Sequence, residues 1–461
     1  MVTFEIIDYA VVLLFFILIA GVGFLVSMKV SKSPEDYHLS NRNIGLLLFV
    51  TTNVATWYGG ILGVGEFSYK YGLASWFTQS FPYYIFAFLF ALFFVGKIRT
   101  NKHISLPETI EATYGKRASQ FAALLVFILV NPAPYLLMMS LLIEQITGLS
   151  KLISTLLVML PLTLYLMKGG YKTNVYTDAI MFVLMFFGFG MILFFTFTKH
   201  DGLMLFSSLP NELLTTTGGQ SGWFITVWFL IALWTFADPG FHQRTKTAKT
   251  TEIARYGILI SIPLWALFDI LTNTTGLMAR ALLPNLENPT LSFPALAQIV
   301  LEPGWKGLFF VGMFATILST LNSFLFLGGQ TIGHDILNKI MTIETIRSTR
   351  IGIVITALFS IGITMISSSV IQLWYLFGSF AIPPLLILLV GSYFEPLRLT
   401  KKIALLFSII TFVTSIAWQF ARMISTNEII QVTEPMIAGL FTAIVLYLGY
   451  MGKLKIKKES Q

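Results

Sequence analysis

Three short runs in this 461-residue sequence gather groups able to hold an ion or a small molecule. The run Thr316-Ile-Leu-Ser-Thr-Leu-Asn-Ser323 sets four hydroxyls and an amide inside an apolar stretch. Thr316, Ser319, Thr320 and Ser323 recur at spacings of three, four and seven, so on a helix they share one face. The other two runs, Thr52 to Gly60 and Trp234 to Gly240, place Gly or Pro among polar and aromatic residues in stretches that otherwise read as helix. Backbone freed at such a break, if it lies in a membrane, cannot face lipid and must line a cavity or coordinate something. Exposed carbonyls with nearby hydroxyls suit a hard cation such as Na⁺. Plainer readings stand beside these. Ser and Thr also back-bond to their own helix or join helices together, and a Gly or Pro break can be a simple kink.

The elements that must position these runs are membrane spans. The chain is 56% hydrophobic and 11% charged, with a mean hydropathy of +0.78, whereas a soluble globular chain carries about 25% charged residues. This excludes a soluble enzyme, a nucleic-acid binder and a disordered chain. There is no cysteine, so disulfide, thiolate-metal and thiol chemistry are absent. Apolar stretches long enough to span about 30 Å as helix fall near 6–28, 46–71, 74–96, 118–146, 151–168, 175–198, 222–243, 254–283, 306–332, 350–368, 370–394, 402–423 and 434–452. The first has Glu5 and Asp8 at its start and no basic leader, unlike a signal peptide. The expectation is an all-α polytopic membrane protein with about 13 transmembrane helices. With the N-terminus outside, only Lys70, Lys151, Lys199, Arg280, Lys306 and Arg422 of the 30 basic residues fall outside. The others, Lys32, Lys97 and Lys453 among them, fall on the cytoplasmic side with the C-terminus.

The two breaks lie five spans apart, which points to a 5+5 inverted repeat with broken first and sixth core helices. The chain then divides into 1–44, a leader helix and loop; 45–200, the first repeat; 201–396, the second; and 397–461, two further helices and a basic tail. Ionisable groups inside spans are costly and invite functional readings. Asp238 could meet a cationic group, carry a proton, or cap the half-helix that begins at Pro239. Asp269 could pair with the amides Asn273 or Gln298. No basic residue is expected deep in the core, which disfavours a strongly anionic solute. The five histidines show no metal spacing. No nucleophile–base set and no ATP-binding loop is present, so neither an enzyme nor a primary pump is expected.

Several segments together resemble the sodium:solute symporter family, which shares the inverted-repeat core of the leucine transporter. They are Ser33-Pro-Glu-Asp-Tyr-His-Leu-Ser-Asn-Arg-Asn-Ile-Gly45, Gly63-Val-Gly-Glu-Phe-Ser-Tyr-Lys-Tyr-Gly72, Gly169-Gly170 with Thr177-Asp178, Pro239-Gly-Phe-His-Gln-Arg244 with Ala248-Lys249, and Ser319-Thr320 followed by Asp335. The resemblance covers nearly the whole chain. It implies a sodium site built from the carbonyls of Asn53, Thr56 and Thr316 and the hydroxyls of Ser319 and Thr320. Asn53, Thr316 and Thr320 depart from the family's usual side chains, although carbonyl ligation tolerates this and Thr320 keeps a hydroxyl. Asp178, Asn322 and Ser323 fall where some members hold a second sodium or release the first; Asp178 could instead cap its helix. Trp57, Gly60, Gln79, Trp234, Phe236, Asp238 and Trp374 fall where the solute or its gates would lie, though aromatic residues in spans also serve packing.

The implied activity is uptake of a small organic solute coupled to inward Na⁺ flow, by alternating access, in the plasma membrane. Na⁺, the solute and membrane lipids are the expected partners, with no other cofactor and no nucleic acid. Proton coupling through Asp178, Asp238 or Asp269 is the alternative within the same fold. A membrane sensor is the alternative from another class; with no signalling domain in the sequence, it would act through a separate partner.

Overall fold

The computed structural model describes residues 2–29, 33–341, 343–367 and 369–459. Lys32, counted above among the cytoplasmic basic residues, and Ser368, the last residue of the expected span 350–368, lie outside them. The described residues form helices α1 (Ile6–Ser27), α2 (Leu46–Ala55), α3 (Ile61–Tyr71), α4 (Phe81–Phe93), α5 (Lys116–Leu129), α6 (Ala133–Thr147), α7 (Lys151–His200), α8 (Gly222–Ile231), α9 (Pro239–Thr247), α10 (Thr251–Leu282), α11 (Trp305–Gln330), α12 (Thr345–Ile366), α13 (Val370–Tyr393), α14 (Lys401–Ile424) and α15 (Pro435–Glu459), with shorter helical turns between them. Among them there is no strand, only one isolated bridge between Ile44 and Ala248.

Eleven helical units are long and apolar enough to cross a membrane, α5–α6 and α8–α9 each counting as one. The pair α2–α3, bent by 57° around a tight turn at Thr56–Tyr58, makes twelve. The count falls short of thirteen because α7 enters as a single helix of 50 residues. Such a helix is about 75 Å long at 1.5 Å per residue, more than twice a bilayer's hydrocarbon thickness. Inside it Gly170 has φ 57° and ψ −157°, a region open only to glycine. A Cβ at Gly170 would also stand 2.5 Å from the carbonyl oxygen of Tyr37. Gly170→Ala should therefore destabilise the protein by about 1–3 kcal/mol, visible as a lower melting temperature in detergent.

The centre of the bundle is α11, in whose most apolar window 94% of residues are buried. It packs most extensively against α7, and α1 lies across both. Gly188 of α7 and Gly312 of α11 let the two backbones approach: a Cβ on either would lie 3.2 Å from the other's Cα. Small residues of this kind permit close helix packing without a hydrophobic driving force. The buried carboxylate of Asp8 pins α1 to the start of α11 by accepting the backbone N–H groups of Gly304 and Gly307, each at 2.7 Å. Helices α14 and α15 pack on each other and on α13. Backbone hydrogen bonds from Ile44 to Thr247 and from Lys249 to Ile44 join the approach to α2 with the end of α9.

Candidate ion and solute site

The close approach of α7 and α11 brings Asp178 to the hydroxyl face read from the sequence. Ser319 donates to Asp178 Oδ1 at 2.6 Å, and Thr52 and Thr56, from α2 and the turn after it, donate to Oδ2 at 2.5 and 3.3 Å. Thr320 donates to the carbonyl of Thr56 at 2.6 Å, and its hydroxyl lies 3.5 Å from the carbonyl of Thr316. Thr56 and Ser319 hydroxyls lie 3.2 Å apart. All six residues are buried. The buried Asp178 carboxylate is surrounded by hydroxyls and has no ion-pair partner among the described residues; its charge is costly unless a proton or a small cation offsets it.

Beside this cluster lies a cavity of about 160 Å³, bounded by both helix breaks and by α13. Aromatic rings dominate its walls. Trp57 projects from the first break, with ring centroids 5.0 Å from Tyr83, 5.2 Å from Phe241 and 5.1 Å from Trp265. Tyr135 stands 5.9 Å from Trp374. The Trp374 ring lies against Gly60, where a Cβ would run into it, so glycine is required there for close approach. Trp234 and Gln79 also line the cavity. Its charged lining is Asp238, Asp269 and Arg244. Asp238 accepts the backbone N–H groups of Gly240 at 2.5 Å and Phe241 at 3.3 Å, so it caps α9 while facing the cavity.

The far side of α9 is polar, buried and hydrogen-bonded. Gln243 donates to the carbonyl of His38 at 3.2 Å and to the side-chain oxygen of Gln330 at 3.0 Å. Lys246 donates to the carbonyl of Ser105 at 2.7 Å and the hydroxyl of Thr109 at 3.3 Å, and Ser105 donates to Asp335 at 2.5 Å. His242 contacts the carbonyl of Phe236 at 2.9 Å and the hydroxyl of Tyr393 at 3.2 Å. Burial, with His334 nearby, pushes the His38 imidazole down to about 3, so it is neutral and acts in this layer by hydrogen bonding alone.

Of the residues singled out in the sequence, Thr56, Thr316, Ser319, Thr320 and Asp178 come together. The Asn53 side chain donates to Ser261 at 3.0 Å and also lines the cavity. Asn322 is buried beside Tyr165, and Ser323 accepts from Arg244 at 3.3 Å. Trp57, Gly60, Gln79, Trp234, Asp238 and Trp374 all line the cavity. Phe236 is not among its lining residues; its ring packs on Phe86 and Phe94.

Other expectations are corrected. The Asp269 carboxylate accepts from the Tyr84 hydroxyl, not from the amides: Asn273 bonds the Asp269 backbone carbonyl and Gln298 bonds Thr3. Basic residues do lie deep, because Arg244 and Lys246 are 4% and 1% exposed; α9 carries them inward from the break. Two of the histidines, His38 and His242, are buried hydrogen-bonding groups. Thr52 went unnoticed, although it stands one helical turn before Thr56.

A broken-helix membrane fold with a buried oxygen cluster beside an aromatic cavity fits a carrier of small solutes, and the family match makes it a sodium-coupled carrier and not an enzyme. The chain belongs to the sodium:solute symporter family, whose model matches residues 37–411. It is similar to the high-affinity choline transporter 1 of Caenorhabditis elegans, with 24% identity over 415 residues, covering 81% of this chain and 71% of that protein. It is also similar to the sodium/pantothenate symporter of Escherichia coli, with 23% identity over 335 residues and 69% of each chain covered. Among solved structures, a Na⁺-coupled sialic acid symporter in its substrate-bound outward-open state superposes with a TM-score of 0.82 at 18% identity, covering 96% of both chains. A nucleobase-cation-symport-1 family transporter superposes with a TM-score of 0.64 at 13% identity. These two likenesses establish the all-helical fold.

Proposed function

We propose that this carrier couples inward Na⁺ flow to uptake of a small quaternary-ammonium solute such as choline. One observation carries the reading: the rings of Trp57, Tyr83, Tyr135 and Trp374 line a cavity that also holds the Asp238 carboxylate. Aromatic faces attract cations, and a cage of rings suits an ammonium that cannot donate hydrogen bonds. The likeness to a choline transporter points the same way.

On this reading Na⁺ is held by the carbonyls of Asn53, Thr56 and Thr316 and the hydroxyls of Ser319 and Thr320, with Asp178 as nearby counter-charge. Helix α7 is read as two crossings, giving thirteen in the plasma membrane with the N-terminus outside. Segments 45–200 and 201–396 are then the inverted repeats. Na⁺ couples to solute because it binds the outward-open form more tightly than the inward-open one.

Radiolabelled choline uptake by the full chain in proteoliposomes tests this. An inward Na⁺ gradient at constant pH should drive accumulation that an equal K⁺ gradient does not. Excess glucose and pantothenate should leave it unchanged. Uptake that follows pH and ignores Na⁺ would overturn the coupling. Arg244 on the same cavity favours a second reading, a zwitterion such as glycine betaine; stronger competition by betaine than by choline would select it.

A further inference from the structure

We infer that the terminal helix pair, α14 and α15, completes the solute cavity: Met436 forms part of its wall, and Arg422 and Glu434 are positioning residues that hold Met436 and Tyr375 there. The inference takes from the proposed function only that this cavity receives the solute. Met436, in the first turn of α15, is 1% exposed and lines the cavity together with Tyr375 of α13 and Trp228 of α8. The ring centroids of Tyr375 and Trp228 lie 6.4 Å apart, and α15 packs on α13 and reaches α8. The wall therefore draws on a helix that stands outside both 45–200 and 201–396.

What seats Met436 is a cluster around Arg422, near the end of α14. The guanidinium forks onto Glu434, two residues before Met436, with Nη1 2.5 Å from Oε2 and Nη2 3.3 Å from Oε1. The same Nη1 donates to the Tyr375 hydroxyl at 3.4 Å, and Nε donates to the carbonyl of Gln431 at 3.0 Å. Trp418 Nε1 donates to the carbonyl of Thr433 at 2.9 Å. A forked contact between guanidinium and carboxylate fixes direction as well as distance, so one side chain sets both the segment 431–434 and the Tyr375 ring. Three residues beyond Met436, Gly439 lets α15 lie against α13 and α14: a Cβ there would stand 3.0 Å from Pro383 and would run into the Ser415 hydroxyl. Ser408 of α14 donates to the carbonyl of Pro384 at 2.8 Å. The pair thus braces α13, which carries Trp374 and Tyr375, both beside the cavity and at its prolines. Arg422 and Glu434 lie past residue 411, where the family match ends.

The chain has no cysteine, so Met436→Cys in the purified full-length protein is a lone thiol. Methanethiosulfonate ethylammonium should modify it slowly, since the position is buried. Adding Arg422→Gln or Glu434→Gln should raise the rate about tenfold, and the exchanged pair, Arg422→Glu with Glu434→Arg, should bring it back down. Thr426→Cys, exposed in the same loop, should react at one rate in every background. Choline should protect Met436→Cys and not Thr426→Cys. A Met436→Cys rate that ignores the charge pair would overturn the inference, as would a thiol that stays unmodified in every background while Thr426→Cys reacts. Should neither glutamine variant fold, Met436→Cys alone decides: modified more slowly than Thr426→Cys, it lines the cavity; unmodified, it does not. A thiol that answers to the charge pair but is not protected by choline supports the inference and refutes the choline reading instead.

Discussion

Ser319→Ala combined with Thr320→Ala is expected to raise the Na⁺ concentration for half-maximal solute uptake by about a hundredfold or more. Each replacement removes one hydroxyl ligand, and a contact to a charged group contributes about 1.5–3 kcal/mol, a tenfold effect for each 1.4 kcal/mol. The double variant also strips Asp178 of the Ser319 hydroxyl and the Thr56 carbonyl of the Thr320 hydroxyl, so the cluster loses order as well as ligands. The measurement is the Na⁺ dependence of choline uptake in proteoliposomes, with osmotic strength held by N-methylglucamine. An unchanged half-saturating Na⁺ concentration would move the sodium site elsewhere.

The second large effect is expected at Asp238. Its carboxylate both caps α9 and faces the cavity, and Asp238→Asn separates these duties. Asparagine caps a helix as well as aspartate, so the melting temperature in detergent should move little. The charge opposite the solute is lost, however, and Arg244 nearby is left less compensated. Truncating one partner of a buried charge pair costs about 2–5 kcal/mol, so choline affinity should fall at least about thirtyfold, while a neutral isostere such as 3,3-dimethylbutanol should compete as well as before. Equal losses for choline and the isostere would make Asp238 a cap and nothing more.

Much of this site was legible before any coordinates because its parts are local. The hydroxyl face of α11 is a helical spacing, and both breaks announce themselves through Gly and Pro. Asp178 entered through the family resemblance, but its partner Thr52 did not, because that contact depends on how α2 meets α7. Arg244 was misplaced for a physical reason. Hydropathy treats a basic residue near the end of a span as cytoplasmic, whereas the break at Asp238–Pro239 starts α9 deep in the bundle and buries its basic residues. Phe236 sits one turn before that break, and nothing in its spacing says that the ring turns toward Phe86 and Phe94. The 50-residue length of α7 hides a kink that the Gly170 torsion makes plain.

The polar layer beyond α9 bears on electrical leakage. A cell holds a standing voltage across its membrane, and a carrier whose inner end parted at random would short it. Here Gln243, Lys246 and His242 are tied to Gln330, Ser105 and Tyr393 on separate segments. No one of these contacts is strong, but a buried donor left unpaired costs more than the net worth of the bond it made. Any opening that draws α9 away from those segments would have to break all of these contacts, so the layer raises the barrier to leakage along that path.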